Sequence, residues 1–153
     1  MARESHFLKS VYDKLSTIPS VRIYEQVLID KWNVYQFDYI GILACEDSRE
    51  VIGMEDDSAF SNKGTLDIYI LSGCQVKKQN NGKANLRERL ANLSEQIEYK
   101  LSNYIAPPYK SDFENTYFSP LQFVSSQVAT YSDEETKGIS LLVMRSIYYK
   151  GDK

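Results

Sequence analysis

The stretch that most constrains the fold is an alternating segment followed by a long helical stripe. Within 65–71, Leu66, Ile68 and Ile70 take every second position, which is the period of a strand with one face on a core. After a polar loop, six apolar residues recur at steps of three and four: Leu86, Leu90, Leu93, Ile97, Leu101 and Tyr104. This spacing predicts one long helix with a single apolar face, which the prolines at 107–108 end. We expect that face to pack on the strand.

Weaker periodicities predict the remaining elements. They are a first helix over 3–16 and strands over 21–29, 39–45, 121–131 and 139–147. The strand over 121–131 carries an expected bulge at 125–126, and it forms a hairpin with the last strand. We expect a loop or an irregular hairpin over 46–62 and irregular structure over 107–120. The order of helix, three strands, long helix and two strands predicts an α+β fold. Its sheet is mostly antiparallel, with an N-terminal helix and one long helix packed across it.

Length and composition limit the function classes. A chain of 153 residues is the size of one domain, so we expect a single domain over 1–153. The net charge of −3 argues against a general nucleic-acid binder. No apolar run reaches the roughly 20 residues of a membrane helix, and residues 1–6 are too polar for a signal peptide. We therefore expect a protein made and kept in a cytoplasm.

Few residues carry catalytic chemistry. The two cysteines, Cys45 and Cys74, are too sparse for a disulfide framework, and we expect two reduced, part-buried thiols. The single histidine, His6, lies near the terminus, where we expect it to be solvated. The acidic stretch 46–57 lacks the alternating spacing of a calcium loop, and no phosphate-binding glycine motif occurs. The sequence predicts no catalytic, cofactor or metal site.

One enzyme class stays open as an alternative. Strands that carry Glu25 and Asp67, between a first helix and a long second helix, are the skeleton of many metal-dependent nucleases. Such enzymes usually place a lysine two residues after the second carboxylate, and here that position is Tyr69. Asp67 also falls on the face opposite Leu66 and Ile68. The nuclease interpretation therefore rests on fold analogy alone.

Charge and tyrosine content suggest contact surfaces. Acidic residues cluster in 46–57 and basic residues in 77–89. The two clusters are either solvated loops or complementary surfaces of a repeated subunit contact. The basic cluster could also be a nucleic-acid patch, although it would lack interleaved aromatics. The interface candidates are Lys77, Lys78, Arg87 and Arg89 on one side and Glu46, Asp47, Glu50, Asp56 and Asp57 on the other. The 12 tyrosines fit either buried contacts with a partner or simple filling of the sheet.

The whole pattern resembles the tail terminator (tail completion) proteins of long-tailed phages. The resembling parts are the helix over 7–15, the strand pair over 21–45, the strand over 65–70, the helix over 86–104 and the closing segment 133–149. The closing segment, an acidic turn leading into a strand that ends in tyrosine, carries the resemblance most strongly.

This resemblance implies a non-enzymatic virion protein in the tail or neck, assembled in the host cytoplasm. It implies a hexameric ring that caps the head-proximal end of the tail tube, ends tube polymerisation and joins the tail to the neck. The implied partners are further copies of the chain, the tail tube protein, a head-side connector or neck protein and, in a contractile tail, the sheath protein. It implies no cofactor, no membrane and no sequence-specific nucleic acid. A neighbouring neck or adaptor ring is the closest alternative, and a small cytoplasmic binding module is a more distant one.

Overall fold

A computed structural model of the chain describes residues 3–49, 63–76, 82–113, 115–131 and 136–151. It has the α+β fold that the sequence predicts. The helices are α1 (Arg3–Leu15) and α2 (Gly82–Leu101), with a short 3₁₀ helix at Ile29–Lys31. The strands are β1 (Arg22–Tyr24), β2 (Tyr39–Arg49), β3 (Lys63–Gln75), β4 (Tyr109–Lys110), β5 (Asn115–Phe118), β6 (Gln122–Tyr131) and β7 (Lys137–Gly151). Within this described part, neither helix has an apolar stretch of the length needed to cross a membrane.

The strands form one mixed sheet in the order β1-β2-β3-β7-β5-β4, with β6 also beside β7. Among the described strands, β1 and β2 form the only parallel pair. The long strand β7 organises the sheet, because β3 pairs along one of its edges and β5 and β6 follow each other along the other. Between β5 and β6, Ser119 keeps contact with β7, since its N–H donates to the Ile147 carbonyl at 2.7 Å.

Both helices pack on one face of the sheet. All five apolar positions of α2 from Leu86 to Leu101 are buried in the same cluster as Leu66, Ile68 and Ile70, which confirms the predicted packing. The apolar face of α1 joins this cluster through Phe7, Val11 and Leu15. A smaller cluster of Val27, Tyr39, Leu71 and Ile139 lies on the opposite face, because neighbouring strand residues point to opposite sides.

The predicted length of the first strand, 21–29, is wrong, because β1 ends at Tyr24. The chain then leaves the sheet edge, and the Val27 N–H donates to the Ile42 carbonyl at 2.9 Å. Val27 is fully buried in the small cluster, so its apolar character reflects burial below a loop rather than a longer strand.

For 46–62 we expected a loop or an irregular hairpin, and the described start of this segment fits the hairpin, because β2 continues to Arg49 and pairs there with β3. The structured part of 107–120 contains β4 and β5, where we expected irregular structure. Bulges in β6 fall between Phe123 and Ser125 and between Val128 and Thr130, one on each side of the predicted site. Most of the loop 46–62 and of the turn before the last strand lies outside the described residues.

The long helix is three residues shorter than its stripe. It ends at Leu101, and Asn103 follows with a φ of 64°, the left-handed conformation that terminates helices. Tyr104 stays packed against the core, and its N–H donates to the Leu101 carbonyl at 2.9 Å. The apolar period therefore continues past the end of the helix because a turn keeps Tyr104 on the core side.

Candidate functional site

The structure describes four of the nine predicted interface residues. Glu46 and Asp47 lie in the second half of β2, and Arg87 and Arg89 lie in the first half of α2. The other five lie outside the described residues: Lys77, Lys78, Glu50, Asp56 and Asp57. Glu46 and Arg87 are exposed, and Glu46 accepts a hydrogen bond from the Tyr69 hydroxyl at 3.0 Å.

Asp47 fastens the N-terminal helix to the sheet. Its carboxylate lies 3.3 Å from the buried Arg3 guanidinium and accepts a hydrogen bond from the Tyr148 hydroxyl at 2.6 Å. The Arg3 guanidinium also lies 4.4 Å from the centre of the Tyr148 ring, and Arg49 donates to the Tyr148 hydroxyl at 3.0 Å. Burial, together with the hydrogen bond to Asp47, raises the pKa of Tyr148. Asp47 is therefore a structural group within the chain.

Tyr148 requires a glycine on the neighbouring strand. Gly64 pairs with Tyr148, and a Cβ atom at Gly64 would come within 2.3 Å of Cζ of the tyrosine ring. The ring is 1% exposed, so it has no free space into which it could move. Gly64 thus lets the aromatic ring lie flat on β3 and reach Asp47.

Arg89 also has a partner within the chain. Its guanidinium contacts the Asp38 carboxylate at 2.6 Å, and Asp38 accepts a second hydrogen bond from the Gln75 N–H at 3.1 Å. The hydrogen bond to Asp38 raises the pKa of Arg89. This contact ties α2 to the start of β2 and the end of β3. Arg89 and Asp47 are thus engaged in the folded chain, a role that their charge pattern alone did not reveal.

Asp67, the carboxylate of the nuclease interpretation, forms an ion pair on the sheet face away from the helices. Arg145 lies directly opposite on β7 and donates two hydrogen bonds to the carboxylate, at 2.6 and 2.9 Å. Such a bidentate contact fits the planar shapes of the guanidinium and the carboxylate. Across the described ranges, no group of three or more His, Cys, Asp or Glu residues is arranged to hold a metal ion.

A tyrosine cluster supports the loop between β1 and β2. The Tyr39 ring contacts the rings of Tyr24 and Tyr35 at centroid distances of 5.9 and 5.3 Å, and Tyr24 contacts Tyr35 at 5.1 Å. The three hydroxyls bind loop backbone: Tyr35 accepts from the Leu28 N–H, Tyr24 accepts from the Gln36 N–H, and Tyr39 donates to the Trp32 carbonyl. Part of the tyrosine excess therefore fills one face of the sheet.

This loop presents aliphatic side chains to solvent. Leu28, Ile29 and Val34 are 46%, 49% and 74% exposed. The hydroxyl contacts hold the backbone beneath them, so the loop is organised before any partner arrives. Exposed apolar groups on an ordered loop are typical of contact surfaces. No charge or periodicity pattern marked this loop as a surface, although the closely spaced aromatics in 24–39 are visible in the sequence.

The histidine and the cysteines have structural surroundings. His6 is half-buried rather than solvated, because its ring contacts those of Tyr109 and Phe118 and its Nε2–H donates to the Pro107 carbonyl at 2.8 Å. Both cysteines are free, as predicted. Burial raises the pKa of the half-buried Cys45 thiol and of the buried Cys74 thiol to about 12, so both remain protonated at neutral pH.

No protein-family model and no curated protein matches the sequence. Among solved structures, the chain is similar to one in the virion of a native gene transfer agent particle. The TM-score is 0.60 at 12% sequence identity, and the match covers 98% of both chains. At this low identity the similarity shows a shared fold from end to end.

Proposed function

We propose that this chain is a structural protein of a phage-like virion, acting as a single domain without catalysis. The observation that carries the proposal is the end-to-end match to a chain in a gene transfer agent virion, at 98% coverage of both chains. The resemblance to tail terminators rests on the order of elements in the sequence, whereas this match rests on the fold. Both support a component of a virion, and the resemblance alone favours a place in the tail.

The finer role that we propose is a hexameric ring at the head-proximal end of the tail tube. The ring ends tube polymerisation and joins the tail to the neck. Its partners are other copies of the chain, the tail tube protein, a head-side connector or neck protein and, in a contractile tail, the sheath protein. The ordered loop with Leu28, Ile29 and Val34 offers an apolar surface for such a contact.

We propose a secondary role for the charged candidates in setting subunit register. All four that the structure describes are exposed, and Asp47 and Arg89 in addition form ion pairs within the chain. Exposed ion pairs contribute less than about 1 kcal/mol each and are screened by salt. Apolar contacts therefore supply most of the adhesion between subunits, and the charges orient it.

Removal of the chain from particle-producing cells tests this role. Without a terminator, we expect tubes of irregular and excessive length that fail to join heads, as seen by electron microscopy. Re-expression of the wild-type chain in the same cells is the control and restores uniform length. Tubes of normal length that remain unjoined would instead indicate a neighbouring neck or adaptor ring. Normal tailed particles without the chain would contradict both roles.

A further inference from the structure

The strand β6 is an edge strand that carries neither charged residues nor proline, although it has two bulges. It pairs with β7 on one side, and none of the described strands pairs with its other side. Its ten residues, 122–131, include no charged residue and no proline, while Phe123, Val124 and Val128 are 47%, 40% and 42% exposed. Natural proteins usually block such edges with charges, proline or very short strands, because free N–H and C=O groups recruit another strand. The two bulges leave a regular stretch over 125–128.

The second half of β2 is a free edge on the other side of the sheet. In the described part of the chain, β1 covers only Tyr39–Gly41, and Val27 bonds to Ile42. From there to Arg49, no described strand lies beside β2. Beside α1, near the point where the chain leaves the sheet, is a cleft of about 310 Å³ lined by Ser5, Leu8, Lys9, Tyr12, Glu25 and Gln26.

We propose that β6 of one copy pairs with the free half of β2 in the next copy, so that the sheet continues from subunit to subunit. Three successive antiparallel pairs join β2 to β3, β3 to β7 and β7 to β6, so β6 and β2 run in opposite directions. A neighbouring copy in the same orientation therefore brings its β2 antiparallel to β6. The helices of both copies then stay on the same side. This places Phe123 and Val128, which lie on the helix side of β6, towards α1 of the neighbour. The inference rests on the self-association that the proposed ring requires.

The register follows from the space that β1 leaves. Within one chain, Thr130 pairs with Ile139, Ile139 pairs with Gly73, and Gly73 pairs with Tyr39. Thr130 and Tyr39 therefore lie at the same position along the strand direction, on opposite edges of the sheet. If the sheet continued into the next copy without a shift along the strands, Thr130 would meet β1, which already pairs with Tyr39. To avoid β1, β6 must shift by about four residues, or about 13 Å, along β2 of the next copy. That shift brings Ser125 opposite Ser48, and both lie on the face away from the helices. Staggers of this kind are what curve a continuous sheet into a closed structure.

The contact is heterologous, since the two edges differ. Such contacts close into rings when the rotation between neighbours permits, and otherwise extend into filaments. Backbone hydrogen bonds along β6 add to the apolar contacts between subunits, as when a strand is added to an exposed edge. The uncharged composition of β6 has a direct physical role here, because a buried unpaired charge would oppose strand addition.

The first test compares self-association of the purified full-length chain, by sedimentation over a concentration series. In the Val128→Lys variant a lysine on the edge should weaken self-association at least about tenfold, because burying an unpaired ammonium is costly. The matched control is Tyr99→Lys on α2, where the side chain is 84% exposed, and it should associate like the wild type. Thermal unfolding of the three proteins checks that each is folded. A wild type that stays monomeric throughout, or a folded Val128→Lys that associates normally, overturns the proposal.

The second test traps the register. Oxidation of the Ser48→Cys/Ser125→Cys double variant should give a ladder of disulfide-linked oligomers, whereas Ser48→Cys combined with Tyr99→Cys should not. Assembly without that ladder overturns the β6–β2 contact. Such a failure leaves the tail-end role intact, because a ring can close through other surfaces. The tube-length experiment tests that role without reference to β6.

Discussion

Replacement of Leu93 by alanine tests how α2 packs on the sheet. Leu93 is 5% exposed and belongs to the cluster that contains Leu66, Ile68 and Ile70. The change removes three carbons, worth about 2.4 kcal/mol at roughly 0.8 kcal/mol per buried CH₂. A residual cavity adds to this, so we expect a loss of about 3 kcal/mol, within the usual 2–5 kcal/mol for Leu→Ala in a core.

Urea unfolding followed by far-UV circular dichroism measures this loss. With a slope of about 2 kcal/mol/M, the midpoint should fall by about 1.5 M while the slope stays the same. The thermal midpoint should fall by about 6–12 °C for a chain of this size. Tyr99→Ala is the matched control, since Tyr99 lies on the same helix and is 84% exposed. A loss below about 0.5 kcal/mol for Leu93→Ala, the level of surface changes, would show that the buried face of α2 is assigned wrongly.

Three further predictions follow from the hydrogen bonds and pKa shifts. Tyr148→Phe should cost about 1.5–3 kcal/mol in urea unfolding, because it removes a hydroxyl that donates to the Asp47 carboxylate at 2.6 Å; an unchanged midpoint would contradict the role of this contact. Burial raises the pKa of Cys74 from 9.0 to about 12, so its contribution to stability is present below 9.0 and is lost as pH rises towards 12; urea midpoints should fall across that window, and less so in Cys74→Ala. Plasmid DNA incubated with the chain and Mg²⁺ or Mn²⁺ should stay intact, whereas cleavage that Asp67→Ala abolishes would support the nuclease alternative.

The elements predicted correctly from the sequence are those in which the spacing of apolar residues matches the buried face. The stripe of α2 and the alternation in β3 each have one face on the core, so their side chains encode the packing directly. The end of β2 has no such pattern, because Glu46 to Arg49 are exposed. That segment is a strand because it pairs with β3, and local patterns do not encode this pairing.

The side-chain contacts could not be predicted from the sequence, because they depend on the register between strands that are distant in the chain. The sequence placed Asp67 on the face away from the core, but its partner Arg145 follows only from the pairing of β3 with β7. The same holds for Arg89, whose partner Asp38 is 51 residues away. Charge clustering alone made both Asp47 and Arg89 interface candidates, and it could not show which of the clustered charges also form contacts within the fold.

Electron cryomicroscopy of intact particles is the most direct test of the proposed role. We expect density for this chain as one six-fold ring between the last layer of the tail tube and the neck, at the head-proximal end. Density for the chain along the tube, at the distal tip or in the head shell would contradict it.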